Sequence, residues 1–295
     1  AEAVRLLAGA SGVESALMLG ELDELIETVA AEPGAVAEFA GVDPEAALDW
    51  LRSRPGPAGG LERFLSRHGH RGYRELCVRD PSWGDDPAPL VQSMQAAVQA
   101  RLLTGARPHE IGAEAVDPAG LSRGLRWVLS RAHDAIRRRE HTKSQLVDVA
   151  HRFQLAFRRL GEQLVAEGAL PDVDLVHFFT TDELGPFVGA PGSQRTASVE
   201  RALARRAALE HQQRLEFAEI SVGRPRPMEQ QELDVTDGVL QGRPASRGVV
   251  EGVVRVAHTL AEAAHLRQGE ILVTPITDIG WTPYFGLIGG LVTDL

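Results

Sequence analysis

Gly242-Arg-Pro-Ala-Ser-Arg-Gly248-Val-Val-Glu-Gly252-Val-Val-Arg-Val256 and Glu270-Ile-Leu-Val-Thr-Pro-Ile-Thr-Asp278-Ile-Gly-Trp281-Thr-Pro-Tyr284 decide the fold of this 295-residue chain. Their valines and isoleucines are stiff at χ1 and suit a pleated strand, and glycines bound each run. Strands are expected over 249–256 and 271–274, with a short helix between them at about 260–266. The segment runs on into Gly-Gly-Leu-Val-Thr-Asp-Leu295. Upstream the character is different. From residue 1 to about 218 alanine, leucine and arginine dominate and β-branched runs are scarce, which predicts helices. The fold class is therefore mainly α with a C-terminal β segment, joined through the proline-rich stretch Val222-Gly-Arg-Pro-Arg-Pro-Met228, an extended linker.

The helical part is punctuated by local signals. Pro33-Gly34 breaks the first amphipathic stretch, and Asp43-Pro44 offers an N-cap with proline at the first helical position. The Pro/Gly-rich residues 54–60 and the run 80–87 are expected as loops, and Asp117-Pro118 as a connector. The longest apolar period runs from about Gly124 to Ala166 and stops at Gly168, a C-cap signal. Thr180 with Glu183 fits a capping box, and a further basic amphipathic helix is expected over about 196–217.

Charge and cysteine content exclude several function classes. A net charge of −10 argues against nucleic acid as a partner, since such surfaces carry excess Lys and Arg. A single cysteine, Cys77, permits no internal disulfide and no thiolate zinc cluster. No apolar run reaches the roughly 20 residues that span a bilayer, so no membrane partner is expected, and the single cysteine makes the compartment read as reducing and cytoplasmic. Residues 121–160 nevertheless hold ten basic against three acidic side chains. So local an excess in an acidic protein invites an anionic ligand.

Chemistry concentrates on the long helix, at Arg139-Glu140-His141-Thr142-Lys143. At 100° per residue, Lys143 falls on the apolar seam marked by Ile136, Val147 and Ala150, with Arg139 and Glu140 flanking it. Lys143 is also the only lysine in the chain. A compact ammonium one turn from a guanidinium suits gripping a phosphoryl group in transfer. The other reading of the same residues is an intrahelical ion-pair cluster at a helix crossing. In Gly69-His70-Arg71-Gly72, His70 and Arg71 either tie a glycine-flanked turn to neighbouring acceptors or line a substrate site. His68 and His70, two residues apart, do not share a helix face, and no metal site is expected.

The β segment resembles the swivelling phosphohistidine domain of phosphoenolpyruvate-utilising enzymes. Its Ala245-Ser246-Arg247-Gly248 is similar to that family's Ala-Ser-Pro-Gly turn, with Arg247 in place of proline. The helical part resembles rifampicin phosphotransferases and related phosphoenolpyruvate synthase-like proteins in Gly69-His70-Arg71-Gly72, in Pro81-Ser82-Trp83 and in the Arg139-Glu140-x-x-Lys143 element. The resemblance implies a helical substrate-binding domain at 1–235 and the first part of a β/β/α swivelling domain at 236–295. The chain is expected to be an internal piece that lacks the ATP-grasp domain and stops before a Gly-Gly-x-x-Ser-His motif with the catalytic histidine. It further implies an ATP-dependent, dikinase-type phosphotransferase using ATP and Mg in the intact enzyme, neither bound by this piece alone, with a small-molecule acceptor.

Residue by residue, Arg139 and Lys143 are then the catalytic candidates, and His70, Arg71 and Glu140 the substrate-binding ones. Thr277, Asp278, Trp281 and Thr282 would lie near the phosphohistidine loop, where they either orient imidazole and phosphate or only cap the following turn. The alternative to an enzyme is a non-catalytic homologue that binds an apolar small molecule.

Overall fold

A computed structural model of the protein describes residues 12–104, 121–215, 217–218, 220–228, 242–245 and 248–294. Helix α1 (Glu14–Ala30) buries Met18, Leu22, Leu25, Ile26 and Val29, a spacing that a 3.6-residue period places on one face. After the Pro33-Gly34 break and a π-helical turn (Ala35–Ala40), α2 (Pro44–Arg52) starts where its cap predicts. Asp43 Oδ1 accepts from the backbone N–H groups of Glu45 and Ala46 at 3.1 and 3.0 Å, satisfying donors that no helical carbonyl reaches.

Residues 54–60, expected as a loop, instead open α3 (Pro55–His68). Pro55 sits at a first-turn position, where its fixed φ is suitable and its missing N–H costs nothing. Gly60 faces α1 so closely that a Cβ would lie 2.8 Å from Leu25 Cδ1. Packing against α1 thus outweighs the low helix propensity of glycine.

Next come α4 (Ala88–Thr104) and the 44-residue α5 (Arg123–Ala166). Gly168, at φ 68°, turns the chain out of α5, its N–H donating to Val165 O at 2.9 Å. A 3₁₀ turn (Val173–Phe178), α6 (Thr181–Gly189) and α7 (Gly192–Gln213) follow. The Thr180–Glu183 capping box is present. Helix α7 ends earlier than the pattern predicts, and Phe217 instead pairs with Pro227 in an isolated antiparallel bridge. Asp117-Pro118, Ser246 and Arg247 lie outside the described residues.

The C-terminal segment forms a three-stranded parallel sheet in the order β1 (Val254–Val256), β2 (Ile271–Val273), β3 (Gly290–Val292). Arg255 pairs with Leu272 and Leu272 with Leu291. The connections are α8 (Leu260–Ala263) and a 3₁₀ helix (Ile279–Gly286). The strand predicted over 249–256 is shorter, because its first half lies outside the ladder. Leu272 is fully buried, while Val254, Val256 and Val292 are more than half exposed.

The chain divides into two compact units, Ala1–Gln154 with Val250–Leu295, and Leu155–Val249. The expected boundary at 235 lies outside the described residues. In the first unit Ile279 joins the helical core of Leu22, Phe39, Leu51, Phe64 and Met94. A second cluster around Leu272, Trp281 and Tyr284 packs on Ala96 and Ala100 of α4. The core of the second unit is built from Leu164, Leu170, Leu175, Val176, Phe187 and Ala202. No described helix is long and apolar enough to cross a membrane.

Candidate functional site

Between α3 and α4 the chain folds back on itself. Trp83 N–H donates to Arg71 O at 2.8 Å and Gly84 N–H to Gly69 O at 2.7 Å, closing residues 69–84 into one loop. Trp83 anchors it, buried against Phe64 with ring centroids 6.0 Å apart. Inside the loop Arg71 donates from Nε to Glu75 Oε2 at 3.0 Å and from Nη2 to Glu75 Oε1 at 3.3 Å. This forked pairing matches a planar guanidinium to a planar carboxylate. It is also well shielded, the two side chains being only 5% and 6% exposed.

The same carboxylate holds Lys143, whose Nζ lies 3.2 Å from Glu75 Oε1. Lys143 is 49% exposed, so the ammonium is anchored on one side and open on the other. An ammonium has three N–H donors and one carboxylate does not occupy them all. Arg139, one turn earlier, takes no part in this network. Its side chain is 80% exposed, and its Nη2 lies 3.8 Å from Glu140 Oε1. The geometry therefore separates the two cations that the helical period places on neighbouring faces, and neither is buried in a seam.

The β segment supplies the other wall. Asp278 Oδ2 accepts from the backbone N–H of Arg74 at 2.7 Å, and its Oδ1 accepts from Gly280 N–H at 2.9 Å, capping the 3₁₀ helix. Arg74 has a left-handed φ of 51°, and its Nε is 3.3 Å from Asp80 Oδ2. Burial pushes the Asp278 carboxyl above its ordinary range; the Arg74 and Gly280 N–H groups oppose this, Glu75 adds to it and Lys143 opposes it. Asp278, Glu75 and Lys143 thus share one electrostatic neighbourhood. Burial, and then Asp278, raises the Tyr73 phenol in the same place.

The remaining candidates take no part in this network. His70 Nε2 is buried with no hydrogen-bond partner among the described residues. Burial first, then the Arg71 charge, lowers the His70 pKa and favours the neutral ring. Thr277 is half-buried, and Trp281 is a core side chain. Thr282 lines a cavity of about 430 Å³ between α1, α4 and the 3₁₀ helix (Ile279–Gly286), with Leu19, Ile26, Ala97 and Phe285. The Asp23–Arg101 ion pair, at 2.9 Å, forms its polar wall. Among the described residues no group of three or more His, Cys, Asp or Glu is arranged to hold a metal ion. Sequence reasoning missed Glu75 as a site residue. Its i, i+4 spacing from Arg71 was the available signal.

Comparison with known proteins places the chain in a family. The family model for the rifampicin phosphotransferase fourth domain matches residues 1–140. A rifampicin phosphotransferase from Streptomyces sp is 31% identical over 298 residues, covering 93% of this chain and 34% of that protein. The prodigiosin synthesizing transferase PigC of Serratia marcescens is 28% identical over 92% of this chain and 32% of its own length. The phosphoenolpyruvate synthase of Aeropyrum pernix is 40% identical over 70 residues, 23% of this chain and 8% of that protein. The chain spans about a third of the length of the long-matching relatives. It belongs to the rifampicin phosphotransferase and phosphoenolpyruvate synthase-like family of phosphoenolpyruvate-utilising phosphotransferases.

Proposed function

We propose that the chain is the acceptor-side part of an ATP-dependent, dikinase-type phosphotransferase, in which a phosphoryl group passes from ATP through a phosphohistidine to an acceptor hydroxyl. The observation that carries this reading is the half-exposed Lys143 ammonium held by buried Glu75, with Asp278 of the β segment beside it. On this reading ATP and Mg are held by another part of the intact enzyme, and ATP supplies the phosphoryl group. On this chain Lys143 presents a fixed positive charge to the equatorial phosphoryl oxygens as they gain charge. Glu75 keeps the lysine from collapsing onto other acceptors, and Arg71 keeps the Glu75 carboxylate aimed. Arg139, extended into solvent, serves as a mobile second cation that closes on the phosphoryl group once it arrives. The 295 residues would not run the whole reaction alone. The compartment is cytoplasmic on this reading.

The test is Lys143→Ala in the full-length protein. Histidine phosphorylation by ATP should persist while transfer to the acceptor is lost, and wild-type transfer rates in the variant would overturn the assignment.

A second reading has one observation in its favour, the 430 Å³ cavity with its mostly apolar lining. A non-catalytic homologue would hold an apolar small molecule there. It is distinguished by the intact polypeptide, which on the enzymatic reading incorporates label from ATP on a histidine within a Gly-Gly-x-x-Ser-His sequence, and on the other reading does not.

A further inference from the structure

Asp278 engages each carboxylate oxygen with a backbone N–H, one from its own turn and one from Arg74, 204 residues away in sequence. Such a carboxylate is a structural clamp more than a ligand for an incoming group. Arg74 is the only non-glycine residue among those described with a positive φ, 51°. A side chain in that conformation crowds its own carbonyl, so something must hold it there. The charge-assisted hydrogen bond to Asp278, at 2.7 Å, is the strongest local candidate. Directly after Arg74 comes Glu75, the residue that holds Lys143. The turn is then closed by Cys77 N–H donating to Arg74 O at 2.6 Å.

Two further observations show that this contact is a seat and not a chance touch. A Cβ on Gly280 would meet Tyr73 Cα at 3.2 Å and Leu260 Cδ1 at 3.1 Å, so any larger residue would have to push the two backbones apart by a few tenths of an ångström. Ile279, between Asp278 and Gly280, inserts into the helical core with Phe64 and Trp83.

We propose that Asp278 is a positioning residue. By gripping the Arg74 N–H it sets the loop that carries Glu75, and thereby makes the placement of Lys143 depend on the β segment being seated. The inference rests on the phosphotransfer reading above and deepens it. If the β segment carries the phosphoryl group, its arrival would also complete the site that receives it. A seated carrier meets an aimed lysine, and an absent one leaves the loop free to relax out of the left-handed turn, so that Lys143 does not present a finished anion site to free phosphate or water.

The experiment uses the intact enzyme and two readouts: hydrogen exchange at the amides of residues 73–77, and single-turnover transfer from enzyme already phosphorylated on histidine. Asp278→Ala should speed exchange at the Arg74 amide and slow transfer by about tenfold or more, the effect of losing one hydrogen bond to a charged group. The acceptor KM should stay near its wild-type value, which a general loss of packing would not allow. Arg74→Gly keeps the N–H and reaches positive φ freely, so its transfer should stay close to wild type. Where Asp278→Ala folds poorly, Asp278→Asn, which keeps the side-chain shape and one acceptor oxygen but loses the charge, should show both effects in smaller measure. Unchanged exchange in Asp278→Ala, or faster exchange with unchanged transfer, overturns the positioning role. A wild-type enzyme that never transfers from histidine, or a Lys143→Ala variant that transfers normally, overturns the phosphotransfer reading itself, a result separate from the first two.

Discussion

Replacing Glu75 by alanine should destabilise the first unit far more than replacing the lysine it holds. Glu75 is the partner of an Arg71 side chain only 5% exposed. Its removal leaves a guanidinium desolvated and unpaired, a situation that costs about 3–5 kcal/mol. For a unit of this size each kcal/mol lowers the melting temperature by roughly 2–4 °C, so a drop of roughly 6–20 °C follows. Lys143, 49% exposed, returns to water when the pair is broken. Lys143→Met should therefore cost less than about 1 kcal/mol. Glu75→Gln keeps an acceptor for Arg71 but loses the charge, and should fall between them at about 1–3 kcal/mol. The double variant Arg71→Met/Glu75→Leu removes both charges and should be more stable than Glu75→Ala alone. Thermal and urea unfolding of the four variants, followed by far-ultraviolet circular dichroism, gives the comparison. If Glu75→Ala unfolds within about 1 kcal/mol of wild type, or Lys143→Met costs as much as Glu75→Ala, the charge network is not organised around a buried carboxylate and the reasoning fails.

Gln95→Leu should destabilise by about 2–4 kcal/mol in urea unfolding, because the buried amide donates to Phe39 O at 2.7 Å and Val42 O at 2.8 Å and the substitution strands both carbonyls. Loss of acid stability is expected in the second unit, where Arg205, then the Thr180 N–H, then Arg201 hold Glu183 far below the usual carboxylate range. Because its folded pKa is depressed, its stabilising contribution is complete above the ordinary glutamate pKa of about 4.3 and is lost as pH falls below it. Unfolding measured from pH 7 to pH 3 should show a weaker acid dependence in Glu183→Gln than in wild type, and identical slopes would refute the assignment.

What the sequence made legible was local. Asp43 before Pro44, Thr180 before Glu183 and Gly168 after α5 each act within four residues, and each is found where its chemistry predicts. The length of α5 was legible for the same reason, since a 3.6-residue period needs no knowledge of what lies opposite. Residues 54–60 were misread because their propensity points to a loop, while the contact of Gly60 with Leu25 points to a helix and only appears once α1 is packed. Much of the candidate site lay beyond such signals. Lys143 stood out as the one lysine, yet its partner Glu75 comes from another element. Arg139 shares a helix face with Lys143 on paper, but 40° of rotation puts one side chain on the loop and the other in water. The contact between Asp278 and Arg74 joins residues 204 apart, and no periodicity reports a pairing of that span.

That solitary lysine also makes the molecule unusually easy to interrogate. An endoproteinase specific for lysine has one cleavage point in the whole sequence, and it lies within a 44-residue helix, beside an anchoring carboxylate. Proteases cut helices only where they open. The rate of that single cut is thus a direct clock for local unwinding of α5 at Lys143, and an anion that steadies the lysine would slow it without any labelled substrate.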